Sequence, residues 1–387
     1  MTITYNGGKP KSGLGATQLN PHFYERKALI EVADEMIFSQ LADTKTMPKN
    51  SGTEIKQYRH IPVIDDRNIG GEGIDAKGVK YANGNLYGSS TDVGFIADTF
   101  PTLGELGGRV NKIDFTRVEL KSNLKKYGMF YEYSADSENF DSEADIVSRA
   151  TNHLMDAAVK TYEDNLQIDL LNNAGLVKFA GVATTNTELA AGMVLTYPDL
   201  VKLGIDLDKS KTPKNTEIIT GTRMIDTKTI SACRVAYVGS EMLTTLQQMK
   251  DYHDNPAFIP AHQYAAGTTL LKGEVGRIAD FRIIIAPRMF KWAGKGATAT
   301  DKTYYNTNEK YDVFPFLVVG DKSFTTIGFQ TDGKSNKFST IHKMPGTETA
   351  DRTDPYGESG FSSVKWWYGF MPQYIERLAV LKCVAKM

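Results

Sequence analysis

From His22 to Ala42 apolar residues recur at steps of three and four, placing Phe23, Leu29, Ile30, Ala33, Ile37 and Leu41 on one face of an expected amphipathic helix. Pro48 bars helix soon afterwards. The same period returns at greater length from Asp141 to Leu171, where Ile146, Ala150, Leu154, Ala157, Ala158, Tyr162, Leu166 and Leu170 keep one stripe. Ser142 with Asp145 resembles a capping box at its start, and Asn172, Asn173 and Gly175 supply stop chemistry at its end. At 1.5 Å per residue this predicts a spine of about 46 Å.

Period two and β-branched enrichment mark the strands. The stretch TEIKQYRHIPVI at 53 to 64 reads as one, and Lys112 to Leu120 with Leu124 to Tyr133 as a second pair, the latter alternating Tyr127, Met129, Tyr131 and Tyr133 with polar or small residues. Between them, Asp65 to Gly94 holds seven glycines with several Asn and Asp, turn chemistry that leaves little to bury. The whole is a long β-excursion with a glycine-rich tip. Further strands are expected at Glu217 to Thr220, Val235 to Val238, Phe281 to Ala286 and Val313 to Val319. Thr331 to Ser363 is polar, and the apolar YIERLAVLKCVA closes the chain as a core strand. The fold class is therefore α+β. Residues 1 to 21 carry Lys9 and Lys11 but no acid, show no periodicity, and read as an extended arm.

Charge and composition narrow the function. The 45 Lys and Arg balance 46 Asp and Glu over 387 residues, so the chain lacks the cationic excess that non-specific phosphate binding needs. Its two cysteines, Cys233 and Cys383, give no disulfide framework, and a reducing cytoplasm is the simpler setting. The opening MTITYNGGKPKSGLG holds no apolar core for a signal peptide, and runs such as FPFLVV and FRIIIAP are too short to span a bilayer. Synthesis and retention in the cytoplasm, without a membrane partner, are expected.

Candidate chemistry is sparse. His22, His60, His153, His253, His262 and His342 show no HExxH, no HxH and no metal-ligand spacing with cysteine. GLG at 13 to 15 and GGEG at 70 to 73 read as turns, since neither links a buried strand to a helix and no GxxxxGK[ST] occurs. No GxSxG, SxxK or CxxC is present, and Asp65 with Asp66 lie in loop sequence. No catalytic, cofactor-binding or metal-binding residue is predicted, and no cofactor. Trp366, Trp367, Tyr368 and Phe370 fit a core or interface anchor better than a stacking platform, because Lys365 is the one basic neighbour. Lys56, Arg59 and Arg67 are offset by Glu54, Asp65, Asp66 and Glu72, a mixture that suits ion pairing between subunits.

The order of arm, amphipathic helix, β-excursion, spine helix, α+β region and closing strand resembles the major capsid fold of tailed phages, named after Hong Kong 97. KGEVGRIADFRIIIAP at 272 to 287 is similar to that family's turn through Gly-Glu-x-Gly into a buried strand. VAYVGSEM at 235 to 242 and NPAFIPAHQY at 255 to 264 resemble segments around it, and DPYGESGFSSVKWWYGFMPQYIERLAVLKC at 354 to 383 is similar to the ending of enquatrovirus-type podovirus capsid proteins. The resemblance implies an N-terminal arm with amphipathic helix at 1–44 and an extended loop at 45–110. It further implies a peripheral domain with the spine helix at 111–180, an axial domain at 181–350, and a return to the peripheral domain at 351–387. It also implies partners: copies of the chain in hexamers and pentamers of an icosahedral head, portal, scaffolding and decoration proteins, and packaged double-stranded DNA enclosed without sequence-specific binding. The competing expectation is a cytoplasmic enzyme with residues 65–94 as an active-site lid. A surface-displayed binding module is the third, disfavoured by the missing export signal.

Overall fold

A computed structural model describes residues 36–47, 52–60, 117–140, 146–214, 216–219, 227–230, 233–263, 271–329, 338–346, 350 and 353–387. The arm, most of the expected amphipathic helix, the glycine-rich tip at 65–94 and the Ser142 capping box lie outside them. The described residues open with a 3₁₀ turn at Phe38–Leu41, then β1 (Asp43–Met47), β2 (Glu54–His60), β3 (Arg117–Asn123) and β4 (Lys125–Ser134). Two helices follow, α1 (Ala135–Phe140) and α2 (Ile146–Asn172), leading to β5 (Leu176–Phe179) and α3 (Tyr197–Lys209). Next come β6 (Thr216–Ile219), β7 (Thr227–Ile230), β8 (Arg234–Gly239), α4 (Leu243–Gln247), β9 (Phe258–Pro260), β10 (Glu274–Ile278) and β11 (Phe281–Ala286). The last third contains β12 (Asn306–Thr307), β13 (Lys310–Tyr311), β14 (Phe314–Val319), β15 (Phe324–Phe329), β16 (Phe338–Lys343), β17 (Ser359–Pro372) and β18 (Leu378–Cys383).

Two compact units emerge. The smaller comprises Met129–Asp156 and Thr340–Val364. Within it, Tyr131 stacks on Tyr133 and Tyr133 on His342, with centroids 6.0 and 6.1 Å apart. Gly360 permits this layer, since a Cβ there would lie 2.6 Å from the Tyr133 ring. Ser362 is buried and shares a 3.1 Å hydrogen bond with Thr151. The polar stretch expected at 331 to 363 thus contributes strand: β17 alternates Gly360, Ser362 and Val364 inward, and small inward residues read as polar by composition while keeping the period of a half-buried strand.

The larger unit comprises Glu35–Gly128, Ala157–Ser339 and Lys365–Met387. Its centre is a seven-stranded sheet in the order β5-β18-β14-β8-β11-β10-β9. β8 and β14 are buried at every position, the mark of strands covered on both faces. On one face Ala236, Val238, Phe281, Ile283, Phe316, Val318 and Leu381 pack with Leu200, Leu203 and Leu207 of α3 and Leu246 of α4. On the other, Tyr237 meets Phe38 at 4.7 Å between centroids and donates its hydroxyl to the Ile37 carbonyl at 3.1 Å. The 3₁₀ turn is also held by the buried Glu163 carboxylate, which accepts the Phe38 N–H at 2.8 Å. Where the amphipathic period predicted helix through Ala42, the described part is a 3₁₀ turn at Phe38–Leu41 and Ala42 is already extended, leading into β1, which pairs in parallel with β15 from Asp43↔Thr325 to Met47↔Phe329.

In this unit α2 buries Ala158, Tyr162, Leu166 and Leu170, four members of the expected stripe. Its polar residues are used as well: Asp169 accepts the Tyr368 hydroxyl at 2.6 Å and Asp164 pairs with Arg288 at 3.3 Å. Burial leads the causes that push the Tyr162 hydroxyl up to about 12, so it stays a neutral donor at physiological pH. At the helix end, Asn173 donates both its backbone N–H and its side-chain amide to the Asp169 carbonyl, satisfying an otherwise orphaned acceptor.

The Gly-Glu-x-Gly turn has a packing explanation. Gly273 takes φ +74°, a conformation that costs other residues energy. Glu274 buries its side chain, accepts the Leu271 N–H at 2.9 Å and lies 3.4 Å from the Arg282 guanidinium. The register shifts between Glu274 and Gly276, and a Cβ on Gly276 would sit 2.6 Å from the Ile259 carbonyl oxygen. Gly276→Ala is therefore expected to destabilise the fold by about 1–3 kcal/mol, as overpacking against backbone does. A urea midpoint equal to the parent's would show that β9 yields without cost.

Between β11 and β14 the chain is tied down by Asp312, which accepts from Lys291 Nζ and the Gly294 N–H, both at 2.8 Å. Burial alone would raise this carboxyl, but the bonds from Lys291, Gly294 and Thr307 outweigh it and hold the group below the usual aspartate range. A depressed folded value means stability present above the unfolded value of about 3.9 and lost as pH falls through the folded value. Thermal unfolding should thus weaken below about pH 4, and Asp312→Asn should flatten that acid limb. An unchanged acid limb in the variant would remove Asp312 as its source.

Candidate functional site

Among the described residues no group of three or more His, Cys, Asp or Glu could hold a metal, and no helix is long and apolar enough to cross a membrane. Cys383 lies in the core beside Met242, its thiol pushed well up by burial, which is the environment of an inert cysteine. Cys233 is buried as well, and burial raises its thiol. The described histidines His60, His153, His253, His262 and His342 are dispersed, while His22 lies outside the described residues.

The aromatic cluster is a core anchor. β17 alternates, so Trp366 and Tyr368 are buried while Trp367 and Phe370 are half-buried. Tyr127 stacks on Trp366 at 5.9 Å, Tyr162 meets Tyr368 edge-on at 5.2 Å, and Phe324 stacks on Phe370 at 5.6 Å. Such packing leaves no open platform for bases.

The surface feature that the core does not explain is the antiparallel ribbon of β2 and β3, paired from Glu54↔Asn123 to His60↔Arg117. Its inward face presents Ile55, Gln57 and Arg59 opposite Ser122, Leu120 and Val118. Ile55 and Leu120, with Leu124, pack on Met47, Ile327 and Met371. Its outward face is charged: Lys56 lies 3.2 Å and Lys121 3.5 Å from Glu119, and Arg117 sits 4.5 Å over the half-exposed Tyr58 ring. Exposed pairs of this kind contribute about 0–1 kcal/mol each.

The base of the ribbon is clamped. Arg59 makes two bonds to the Glu376 carboxylate, one of them 3.1 Å, and a third to the Gln373 carbonyl at 3.3 Å. The Tyr374 ring has the Arg59 guanidinium 4.5 Å and the Arg377 guanidinium 4.1 Å from its centroid. Arg377 in turn donates to the Asp321 carbonyl at 2.9 Å. Ser122 donates to the Phe370 carbonyl at 2.8 Å, and Lys45 to Gln57 at 2.7 Å. Planar guanidinium groups serve here because one side chain can bond a carboxylate bidentately and face a ring at once. Lys56 and Arg59, expected to serve ion pairing between subunits, also have partners within the chain, because the β2–β3 register and the fold of residues 373–377 bring Glu119 and Glu376 to them. Arg67 lies outside the described residues. Glu376, 317 residues from Arg59, was not foreseen, since no local spacing could connect the two.

A protein-family model described as phage capsid protein matches residues 117–383. The major capsid protein of Pseudomonas phage KPP21 is 50% identical over 382 residues, covering 98% of this chain and 96% of its own. Among solved structures, the capsid of Ralstonia phage GP4 aligns with a TM-score of 0.62 at 9% identity, covering 98% of this chain and 99% of that one. The Cyanophage Pam1 capsid asymmetric unit aligns at 0.56 and 11% identity, covering 96% and 98%. At these identities the structures speak to fold alone.

Proposed function

This chain belongs to the phage capsid protein family, and from that membership we infer that it works as a major capsid protein, a component of the virion that associates with copies of itself into a shell. It is a structural subunit and not an enzyme, so the alternative that made residues 65–94 an active-site lid is set aside. The carrying observation is the 50% identity to a phage major capsid protein over nearly the whole chain.

The finer reading is our proposal. Copies form hexamers and pentamers of an icosahedral head, assembled in the host bacterial cytoplasm around portal and scaffolding proteins, with decoration proteins added outside. Packaged double-stranded DNA is enclosed without sequence-specific contact, in keeping with the balance of 45 basic and 46 acidic residues. Within the subunit we propose residues 1–44 as arm and amphipathic helix, 45–110 as extended loop, 111–180 as peripheral domain with the spine helix, 181–350 as axial domain and 351–387 as the return. The β2–β3 ribbon supports this reading, because it carries the chain toward residue 61 and back from residue 116 along two adjacent strands.

Sedimentation and negative-stain microscopy of the pure protein test the proposal. Rings of five or six, or closed shells, are expected at moderate concentration. A compact monomer persisting at high concentration across salt conditions would overturn it.

A further inference from the structure

β16 ends a five-stranded sheet of order β1-β15-β17-β16, in which β4 also pairs with β17, and no strand among the described residues pairs with its other edge. An open edge offers a row of backbone donors and acceptors to another chain, and proteins blunt such edges with short strands, charge or proline. The other edges of the two larger sheets are blunted in these ways. β9 has three residues and ends in Pro260, and β5 has four, with Lys178 bonded to Asp206. β1 carries Asp43 and Lys45, and β4 carries Lys125, Lys126 and Glu132. β16 differs: it runs for six residues with β-branched Thr340 and Ile341 at its centre, has no proline or glycine, and carries its lysine, Lys343, at the last position.

The two faces of the strand are distinct. His342 stacks on Tyr133 and shares a 3.3 Å hydrogen bond with its hydroxyl. By alternation Thr340 lies on that same face, and Ser339, Ile341 and Lys343 lie on the other. The Ser363 hydroxyl donates to the Ile341 carbonyl at 3.4 Å, which ties the strand to β17, yet the Ile341 side chain is 46% exposed. Ser339, Thr340 and His342 are exposed as well.

We propose that β16 of one copy pairs antiparallel with β16 of a second copy across a two-fold axis centred on Ile341. The inference rests on the shell reading and names a contact within it. An antiparallel strand is complementary to its own copy, because opposed residues exchange the same backbone groups, so a single edge supplies both sides of the contact. The side chains agree with this centre. Ile341 meets Ile341, Thr340 meets His342 and Ser339 meets Lys343, each pair on one face and none opposing lysine to lysine. Centring on Thr340 or His342 instead would set Ile341 against Ser339 or Lys343 and leave its apolar surface without an apolar partner.

Ile341→Cys in the full chain tests this directly, since the native cysteines are buried. Opposed residues of an antiparallel pair have Cα atoms about 4.5 or 5.5 Å apart, both within reach of a disulfide. Mild oxidation should give a linked dimer and nothing larger, because a two-fold contact closes on itself. Ser339→Cys should give no dimer, since the two copies of residue 339 would lie about 14 Å apart. Ile341→Lys, which sets ammonium against ammonium, should lower the assembled fraction at least about tenfold at the concentration where the parent is half assembled, with an unchanged circular dichroism spectrum. An assembling parent whose Ile341→Cys variant stays unlinked, or whose Ser339→Cys variant links as readily, overturns the edge pairing alone. Linked dimers from a parent that builds nothing larger support the pairing and overturn the shell reading. Neither linked dimers nor assembly would overturn both.

Discussion

Leu166→Asp is expected to yield no soluble folded protein. Leu166 is fully buried on α2, with Tyr162 one turn before it and Leu170 one turn after it also buried. A carboxylate there would have no partner, and burying an unpaired ionisable group costs several kcal/mol even after its proton affinity adjusts. A domain holds about 5–15 kcal/mol in total, so this one position can remove most of it. Leu166→Met, which conserves volume, should cost less than about 1.5 kcal/mol and stay soluble. Leu154→Asp should be milder, because Leu154 is half-buried and its carboxylate can reach water. Soluble yield and far-ultraviolet circular dichroism read all three. A soluble Leu166→Asp chain with the parent's spectrum would mean that the α2 stripe is not a core face.

Arg59→Ala and Glu376→Ala should each leave a folded subunit that builds no stable shell. Both side chains are largely buried, 20% and 12% exposed, so removing either takes from the other its bidentate partner at the ribbon base, a loss of up to about 3–5 kcal/mol for buried pairs. That loss falls on the attachment of β2 and not on the seven-stranded sheet, which neither residue enters. The expected result is a modest fall in thermal midpoint beside loss of rings and shells in the electron microscope, because a ribbon without its clamp no longer holds one direction. Arg59→Lys should rescue poorly, since an ammonium can neither bond the carboxylate bidentately nor lie flat on Tyr374. The double variant should assemble no worse than either single one, as expected for two residues acting as one unit. Normal shells from Arg59→Ala would mean that the ribbon is oriented by its neighbours in the shell and the clamp is dispensable.

The elements most legible in the sequence were those whose pattern repeats within one segment. The α2 stripe, the strands at Glu54–His60, Phe281–Ala286 and Phe314–Val319 and the closing strand at Leu378–Cys383 lie where periodicity put them. One buried face along a helix or ribbon strand enforces a period, and burial on both faces enforces an unbroken apolar run in the central strands, so each leaves a local mark. The capsid resemblance was legible for a related reason: Gly273, Glu274 and Gly276 serve a tight turn, a buried ion pair and a close approach to the paired strand β9, which admit few substitutes. β1 was missed because its partner, β15, lies nearly three hundred residues away, and DTKTM has no strong strand character of its own.

The sequence by itself determined the α+β class, the long helix, the core strands, the near-neutral charge and the capsid kinship, because each is a property of composition or of neighbours along the chain. Only the tertiary structure decided which charges pair and which surfaces remain open. Arg59 meets Glu376, and Glu163 meets the Phe38 N–H, because strand order and helix placement bring distant segments together. Ion pairs and hydrogen bonds act over a few ångströms in space, and separation along the chain carries almost no information about that distance once a seven-stranded sheet has reordered it.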